Sequence, residues 1–549
     1  MDLFADIHRA LLAQIAQLAE TGMLPADLVL DKITVEPPGD PGHGELSTNA
    51  ALILAGQTDR PARDIAQSLG AGLVAEAVVA QAEVAGPGFL NLTLPPAAWD
   101  RVIDAALADP AAFGRLEAPA QKINVEFVSA NPSARLQVSH ARGAVFGDAL
   151  ARLLTFQGHA VTREYYINDA GPQGDVLARS VYLRYLKVQG HAVDNAHAAA
   201  EDSDLDRLAE TLAAQVGEAL LDLPESAWLE QVRAFCTDQM MQVIRADLAA
   251  LGITMDSYFS ESTLMSSGRI EAALTKLEAL GLIYDGVLEP AGGTPPPDWS
   301  PREQTLFRST AHGDDQDRPV RKSDGSWAYF APDIAYHYDK LQRGFNALVD
   351  VMGVDHGGYV KRLKAVVAAL SGGQVPLDVK LLHLTRRVEE DAPTDLQALV
   401  QAAGAGHLRL TLLARRNDAP AALDPEAMRA QVRENPAFWI QFAHVHALRL
   451  SQTAPPGDVS ALDQSDARAL MRKVAAWPAV LARAGRLREP NRMALYLMDL
   501  ADVFQTWRQG SCATLNGQEA AKSALAGAVA IVIATGLGIL GVKPAEEML

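Results

Sequence analysis

An apolar, β-rich run from Ile123 to Val128 breaks at Asn131-Pro132, and a helical pattern begins near Ser139-His140. Strand, short polar loop and helix N-terminus together commit a chain to a narrow class of folds. Free backbone N–H groups and the helix dipole converge there and receive an anionic group, typically a nucleotide phosphate. Further β-like segments at 160–167, 347–353 and 378–384 alternate with helical ones. That rhythm predicts α/β architecture with a parallel, doubly wound sheet.

With 549 residues the chain exceeds what one core can organise, so about three domains are expected. Residues 1–116 read as a small α/β domain, with a helical pattern at Leu3–Thr21, a β-like Ile33–Glu36 and a strand entered through Gly86-Pro87-Gly88. Residues 117–418 hold the doubly wound sheet, with a mostly helical insertion over about 195–285 and a proline-dense surface loop from Pro290 to Pro301. Residues 419–549 are helical, with breaks at Pro455-Pro456-Gly457, Glu489-Pro490 and Gly510.

Composition excludes several classes. Hydrophobic content of 49% and charged content of 21% fit a soluble globular protein. Cys236 and Cys512 are the sole cysteines and form no CxxC pair, so neither a disulfide framework nor a zinc site is implied. The net charge of −19 argues against a dedicated nucleic-acid binder, although a local basic face remains compatible with it. Arg472, Lys473, Arg483, Arg486, Arg488 and Arg492 offer such a face, or else a solvated helix surface. The N-terminus carries Asp2, Asp6 and Arg9 and lacks a signal-peptide layout. Ser523–Val542 is uncharged and long enough to span a bilayer, but its Ala/Gly content and the Thr535-Gly536-Leu537-Gly538 stop favour a buried helix.

The stretch Val125-Glu-Phe-Val-Ser-Ala-Asn-Pro-Ser-Ala-Arg-Leu-Gln-Val-Ser-His140 resembles the signature of class I aminoacyl-tRNA synthetases, in the form used by arginine–tRNA ligases. Other strings resemble the same family in order: His43-Gly44 to Ala51, Ala85-Gly-Pro-Gly-Phe-Leu-Asn91, Arg163 to Gly171, Ser323 to His337, Gly353 to Tyr359, and Asn435 to His444. The resemblance covers essentially the whole chain. It implies an N-terminal domain that touches the tRNA elbow, a catalytic domain and an anticodon-binding helical bundle. It further implies a cytoplasmic, monomeric protein away from membranes, with L-arginine and tRNA as partners. ATP with Mg2+ would be a substrate, with no tightly bound cofactor and no protein metal site.

A guanidinium offers five donors and no acceptor, so it needs carboxylate or carbonyl partners. By resemblance, Asp333 and Tyr329 hold it, while Glu126, Ser129 and Asn131 meet the amino-acid head group. Ser139, His140, Gly143, Asp355 and His356 are the implied nucleotide-binding residues, and Asn435, Trp439 and Phe442 the tRNA-binding ones. The implied catalytic positions are His140, Gln137 and, as a substitute cation, Arg135.

Adenylation builds charge on phosphates, and the family serves it with a His-x-Gly-His tetrad and a mobile Lys-Met-Ser-Lys loop. Here the tetrad reads Gln137-Val138-Ser139-His140. After the strand at 378–384 comes Thr385-Arg386-Arg387, then Glu389, Glu390 and Asp391, and the family pattern resumes near Leu396 without the lysine loop. Arg135 or Arg386 can replace the missing cation or form structural ion pairs. Three readings stay open. They are a working arginine–tRNA ligase, a repurposed enzyme acting on arginine or arginyl-tRNA by cyclisation or transfer, and a non-catalytic arginine- or tRNA-binding protein.

Overall fold

The computed structural model describes residues 2–36, 38, 45–115, 119–193, 203–288, 301–383, 385–387, 395–417, 419, 421–514 and 517–547. It divides into two compact units, one formed by Met1–Glu117 with Ala430–Leu549, the other by Ala118–Arg429. The first thus joins the N-terminal and C-terminal segments that the sequence separates.

The second unit is built on five parallel strands: β1 (Lys122–Glu126), β2 (Ala160–Ile167), β3 (Ser257–Ser260), β4 (Ala347–Gly353) and β5 (Leu377–Leu382). Their order is β5-β4-β1-β2-β3, with every pairing parallel. The doubly wound sheet is therefore present, and the order reverses between β1 and β4. In such sheets the crevice past the carboxyl ends at the reversal receives the ligand.

Helix α1 (Val138–Phe156) follows β1, and α2 (Ala331–Gln342) precedes β4. Helix α1 lies hard against the strand exit. A Cβ at Gly147 would sit 2.2 Å from the Phe127 ring, which is fully buried. Gly147→Val is expected to lift α1 off the sheet and lower stability by about 3 kcal/mol or more, an overpacking effect read by thermal denaturation.

Within the insertion one strand, β3, interrupts the helices, and helix Arg269–Ala279 follows it. Helices Pro172–Val188, Ser203–Val216 and Glu225–Ala250 form its body, with Tyr182 stacked on Trp228 at 3.8 Å. The chain then supplies β3 to the main sheet. A separate antiparallel sheet of Ile283–Val287, Glu303–Phe307 and Arg318–Arg321 follows. The Pro290 loop lies outside the described residues, apart from its end at Pro301.

In the first unit, helix Glu519–Ile539 is long and apolar enough to cross a membrane, yet 78% of its most apolar window is buried within the protein. Ser523 donates to the Ser451 and Ala454 carbonyls, both at 2.6 Å. The helix does not stop at Thr535-Gly536-Leu537-Gly538 but runs through it. Gly536 serves packing there, since a Cβ would sit 2.8 Å from Leu497.

Candidate functional site

The strand exit of β1 is strained. Val128 and Ser129 take φ of 71° and 42°, a region costly for a β-branched residue and common at ligand sites. The turn aims the Ser129 hydroxyl at Glu126, donating to Oε1 at 3.0 Å, while accepting from the Tyr166 amide at 3.1 Å. Tyr165 donates to the Ala130 carbonyl, and Asn131 is held between Gln173 and Asn168 at 2.6 and 2.8 Å.

A cavity of about 480 Å³ opens at the carboxyl ends of β1, β4 and β5, at the reversal of strand order. Glu126, Ser129 and Asn131 line it from β1, and Ser139, His140 and Gly143 from the first turns of α1. Asp355 and His356 line it from the short helix after β4, and Tyr329 stands on its rim, 77% exposed. Gly143 has no atom within 4 Å of an added Cβ, so that face of α1 is open to a ligand. The arginine- and nucleotide-site residues expected from sequence thus gather in one place, except Gln137, Arg135 and Asp333, while Asn435, Trp439 and Phe442 lie in the first unit.

Gln137 is the N-cap residue of α1 and is absent from the cavity lining. Its amide N–H donates to His140 Nδ1 at 3.0 Å. That bond leaves the His140 proton on Nε2, and burial lowers the ring's pKa. His140 is therefore a neutral donor at pH 7. Arg135 is turned from the cavity into a structural contact, reaching Asp247 at 3.1 Å and Gln397 at 2.8 Å. Arg142 lines the cavity, but its guanidinium donates to the carbonyls of His383, Ala419 and Arg416.

The described residues that flank the segment standing in place of the lysine loop are bonded to residues 136–138. Thr385 donates to the Val138 carbonyl at 2.6 Å, Leu396 to the Leu136 carbonyl at 3.0 Å, and Asp395 bridges Gln137. Glu389, Glu390 and Asp391 lie outside the described residues, as does the Arg386 side chain.

Asp333, on α2, does not line the cavity but neighbours Glu126 electrostatically. No donor among the described residues reaches its carboxylate. Burial pushes its pKa up to about 7; His337 opposes this, and Glu261, Glu126 and Asp350 add to it. Glu261, which the sequence reading missed, directly follows β3. Its Oε2 is buried without a partner, and burial raises its pKa, Asp169 adding to the shift. Lys340 is the described cation bonded within this acidic group, at 2.7 Å from Glu126 and 3.1 Å from Asp350. Asp333 thus accepts from no described donor, and Glu261, bonded by Tyr166 and the Ala170 amide, keeps Oε2 without a partner, an arrangement that favours a cationic ligand.

In the first unit, Asn435 caps helix Pro436–Ser451 with its side chain and is buried. Trp439 stacks on Phe442 at 5.7 Å, and both are half-exposed, a platform suited to a base. The basic cluster is split. Arg472, Lys473, Arg483 and Arg486 line a groove of about 1100 Å³ with Phe4, His8 and Arg9, whereas Arg492 pairs with Glu489 and Arg488 ends its helix in a left-handed turn.

Three family models match the chain: the arginyl tRNA synthetase N terminal domain over residues 5–94, the tRNA synthetases class I (R) catalytic domain over 102–218, and the DALR anticodon binding domain over 447–548. Arginine–tRNA ligases of Ruegeria pomeroyi and Paracoccus denitrificans are each 49% identical to it, with all of both chains covered. Both alignments run over 580 positions against 549 residues here, so segments present in those relatives are absent from this chain. The Thermus thermophilus arginyl-tRNA synthetase shares the fold, with a TM-score of 0.74 at 19% identity, over 98% of this chain and 100% of that one.

Proposed function

The chain belongs to the arginyl-tRNA synthetase family, and on that premise we propose that it binds L-arginine and tRNA while adenylating arginine slowly or not at all. The observation that carries the arginine reading is the Asp333 carboxylate without a described donor and the unpartnered Glu261 Oε2, in one acidic cluster with Glu126. A guanidinium keeps its charge at any physiological pH and supplies forked donors, so it answers both deficits at once. Tyr329 at the rim and Asn131 in the cavity complete the amino-acid site. Ser139, His140, Gly143, Asp355 and His356 form a nucleoside-sized seat, reached by ATP with Mg2+ or by the 3′ end of tRNA. The half-exposed Trp439–Phe442 stack supports a tRNA contact by residues 419–549, and residues 1–116 would take the elbow. The expected setting is the cytoplasm.

The phosphate end supports the negative half of the proposal. Gln137 and Arg135 are occupied elsewhere, and Thr385 and Leu396, which flank the segment in place of the lysine loop, are bonded to Val138 and Leu136. Full-length identity of 49% to proteins named arginine–tRNA ligase favours a second reading, a working ligase served by other cations.

Calorimetry with arginine, citrulline and lysine tests the arginine half. Arginine is expected to bind at least about a hundredfold more tightly than citrulline, which has the shape without the charge. Equal affinities would refute the acidic seat.

A further inference from the structure

Within the first unit, two carboxylates meet where helix Pro96–Ala108 packs on the C-terminal segment. Past the break at Pro455-Pro456-Gly457 the chain makes a short 3₁₀ turn, Val459–Ala461. Such a turn leaves its first amides without partners of its own. Asp458, directly before it, is the local cap, and its Oδ1 accepts from the Ser460 amide at 2.7 Å. Asp100 caps the same turn from the helix, across 359 positions of sequence. Its Oδ1 accepts from the Val459 amide at 2.8 Å and from the Ser460 amide at 3.1 Å.

One N–H therefore carries two carboxylates. Oxygens drawn to one hydrogen are immediate neighbours, and a single donor does not offset two negative charges. A proton resolves the conflict. On the other oxygen of Asp100, it makes Asp100 a donor to Asp458 while Oδ1 keeps both amides. Burial pushes the Asp100 carboxyl up to about 6, the bond with Asp458 and its charge add to the rise, and the two amides oppose it. Asp458 moves the other way: the bond from Asp100, then the Ser460 hydroxyl and amide, hold it below the usual carboxylate range. The other ionisable groups on this helix and on the elements packed against it are paired or exposed. Lys522 pairs with Glu519, Arg468 with Glu45, Asp466 accepts from Ser511, and Arg101, Asp104 and Asp463 are exposed.

We propose that Asp100 and Asp458 form a pH-dependent clasp, which a shared proton closes and the loss of that proton at neutral pH loosens. It fastens the N-terminal segment to the helical C-terminal one, independently of what the cavity binds. Folding raises the Asp100 pKa, so its contribution is fully present below the ordinary value of 3.8 and is lost as pH rises through about 6. Asp458, with its pKa lowered, contributes above the ordinary value and loses that contribution only at more acid pH. The clasp is therefore firmest at about pH 4 to 5 and loosest above about pH 7.

Hydrogen exchange of the full chain tests this, read by mass spectrometry on peptides covering Val459 and Ser460 and corrected for the intrinsic pH dependence of exchange. Wild-type protection there is expected to be about tenfold greater at about pH 5 than at about pH 7.5. Asp100→Asn keeps a capping oxygen and removes the titrating group, so protection should no longer depend on pH. Asp458 is exposed, so Asp458→Asn should fold. It removes the like charge and should cut the pH effect to about threefold or less. Peptides of helix Glu519–Ile539 serve as the reference and should show no comparable change. Wild-type protection at 459–460 that ignores pH, an undiminished slope in either variant, or the same slope in the reference helix would overturn the proposal.

Discussion

Arginine-dependent pyrophosphate exchange is expected to run about 10⁴-fold or more below that of a family member with both phosphate devices intact, since each lost transition-state donor costs about 10²–10³. The cavity lining carries Glu126, Asp350 and Asp355, the first two paired with the buried Lys340, against one arginine, Arg142, whose guanidinium holds three backbone carbonyls. His140 is a neutral donor, able to meet one oxygen but not to carry charge. Thr385 and Leu396, on either side of the segment that stands in place of the lysine loop, are bonded to Val138 and Leu136. Gln137→His alone should leave the rate within about threefold of wild type, because position 137 caps its helix and does not face the cavity. Robust exchange by the wild type, or efficient charging of tRNA with arginine, would defeat this and favour the working ligase.

The parts legible in the sequence share a physical reason. Strands β1, β2, β4 and β5 are segments of five to eight residues whose alternation with helices leaves few topologies. Strand β3 is four residues, Ser257-Tyr-Phe-Ser260, behind a long helix, too short for a period to register. Glu261 was lost with it, because its significance comes from lying beside Asp333, far along the chain. The glutamate closing a short aromatic strand was the available signal. Arg135 shows the converse. Adjacency to the tetrad suggested a catalytic cation, whereas its partner Asp247 lies 112 residues away on a helix of the insertion. Gly536 looked like a helix stop because glycine has two uses, and only the packing of Leu497 and Trp477 against it decides between them.

Asp333→Ala is expected to abolish measurable arginine binding, because it leaves a buried guanidinium facing Glu261 alone and forfeits about 3–5 kcal/mol, a hundredfold or more in affinity. Asp333→Asn keeps the shape and removes the charge, and should lose nearly as much. The acidity of Asp333 supplies an independent check. Its pKa is raised from 3.8 to about 7 in the ligand-free protein, chiefly by burial. A raised carboxyl pKa contributes stability that is fully present below the unfolded value and is lost as pH rises through the folded one. The empty site therefore grows costlier between about pH 4 and 7, and a bound guanidinium, which requires the ionised carboxylate, recovers that cost. Arginine affinity should rise from about pH 6 to pH 8 and then level off, with a proton released on binding at the lower pH. Calorimetry at about pH 6 in two buffers of different ionisation enthalpy reads that proton directly. Asp333→Asn should show neither the slope nor the release. A wild-type affinity independent of pH, or an unchanged slope in Asp333→Asn, would place the guanidinium elsewhere.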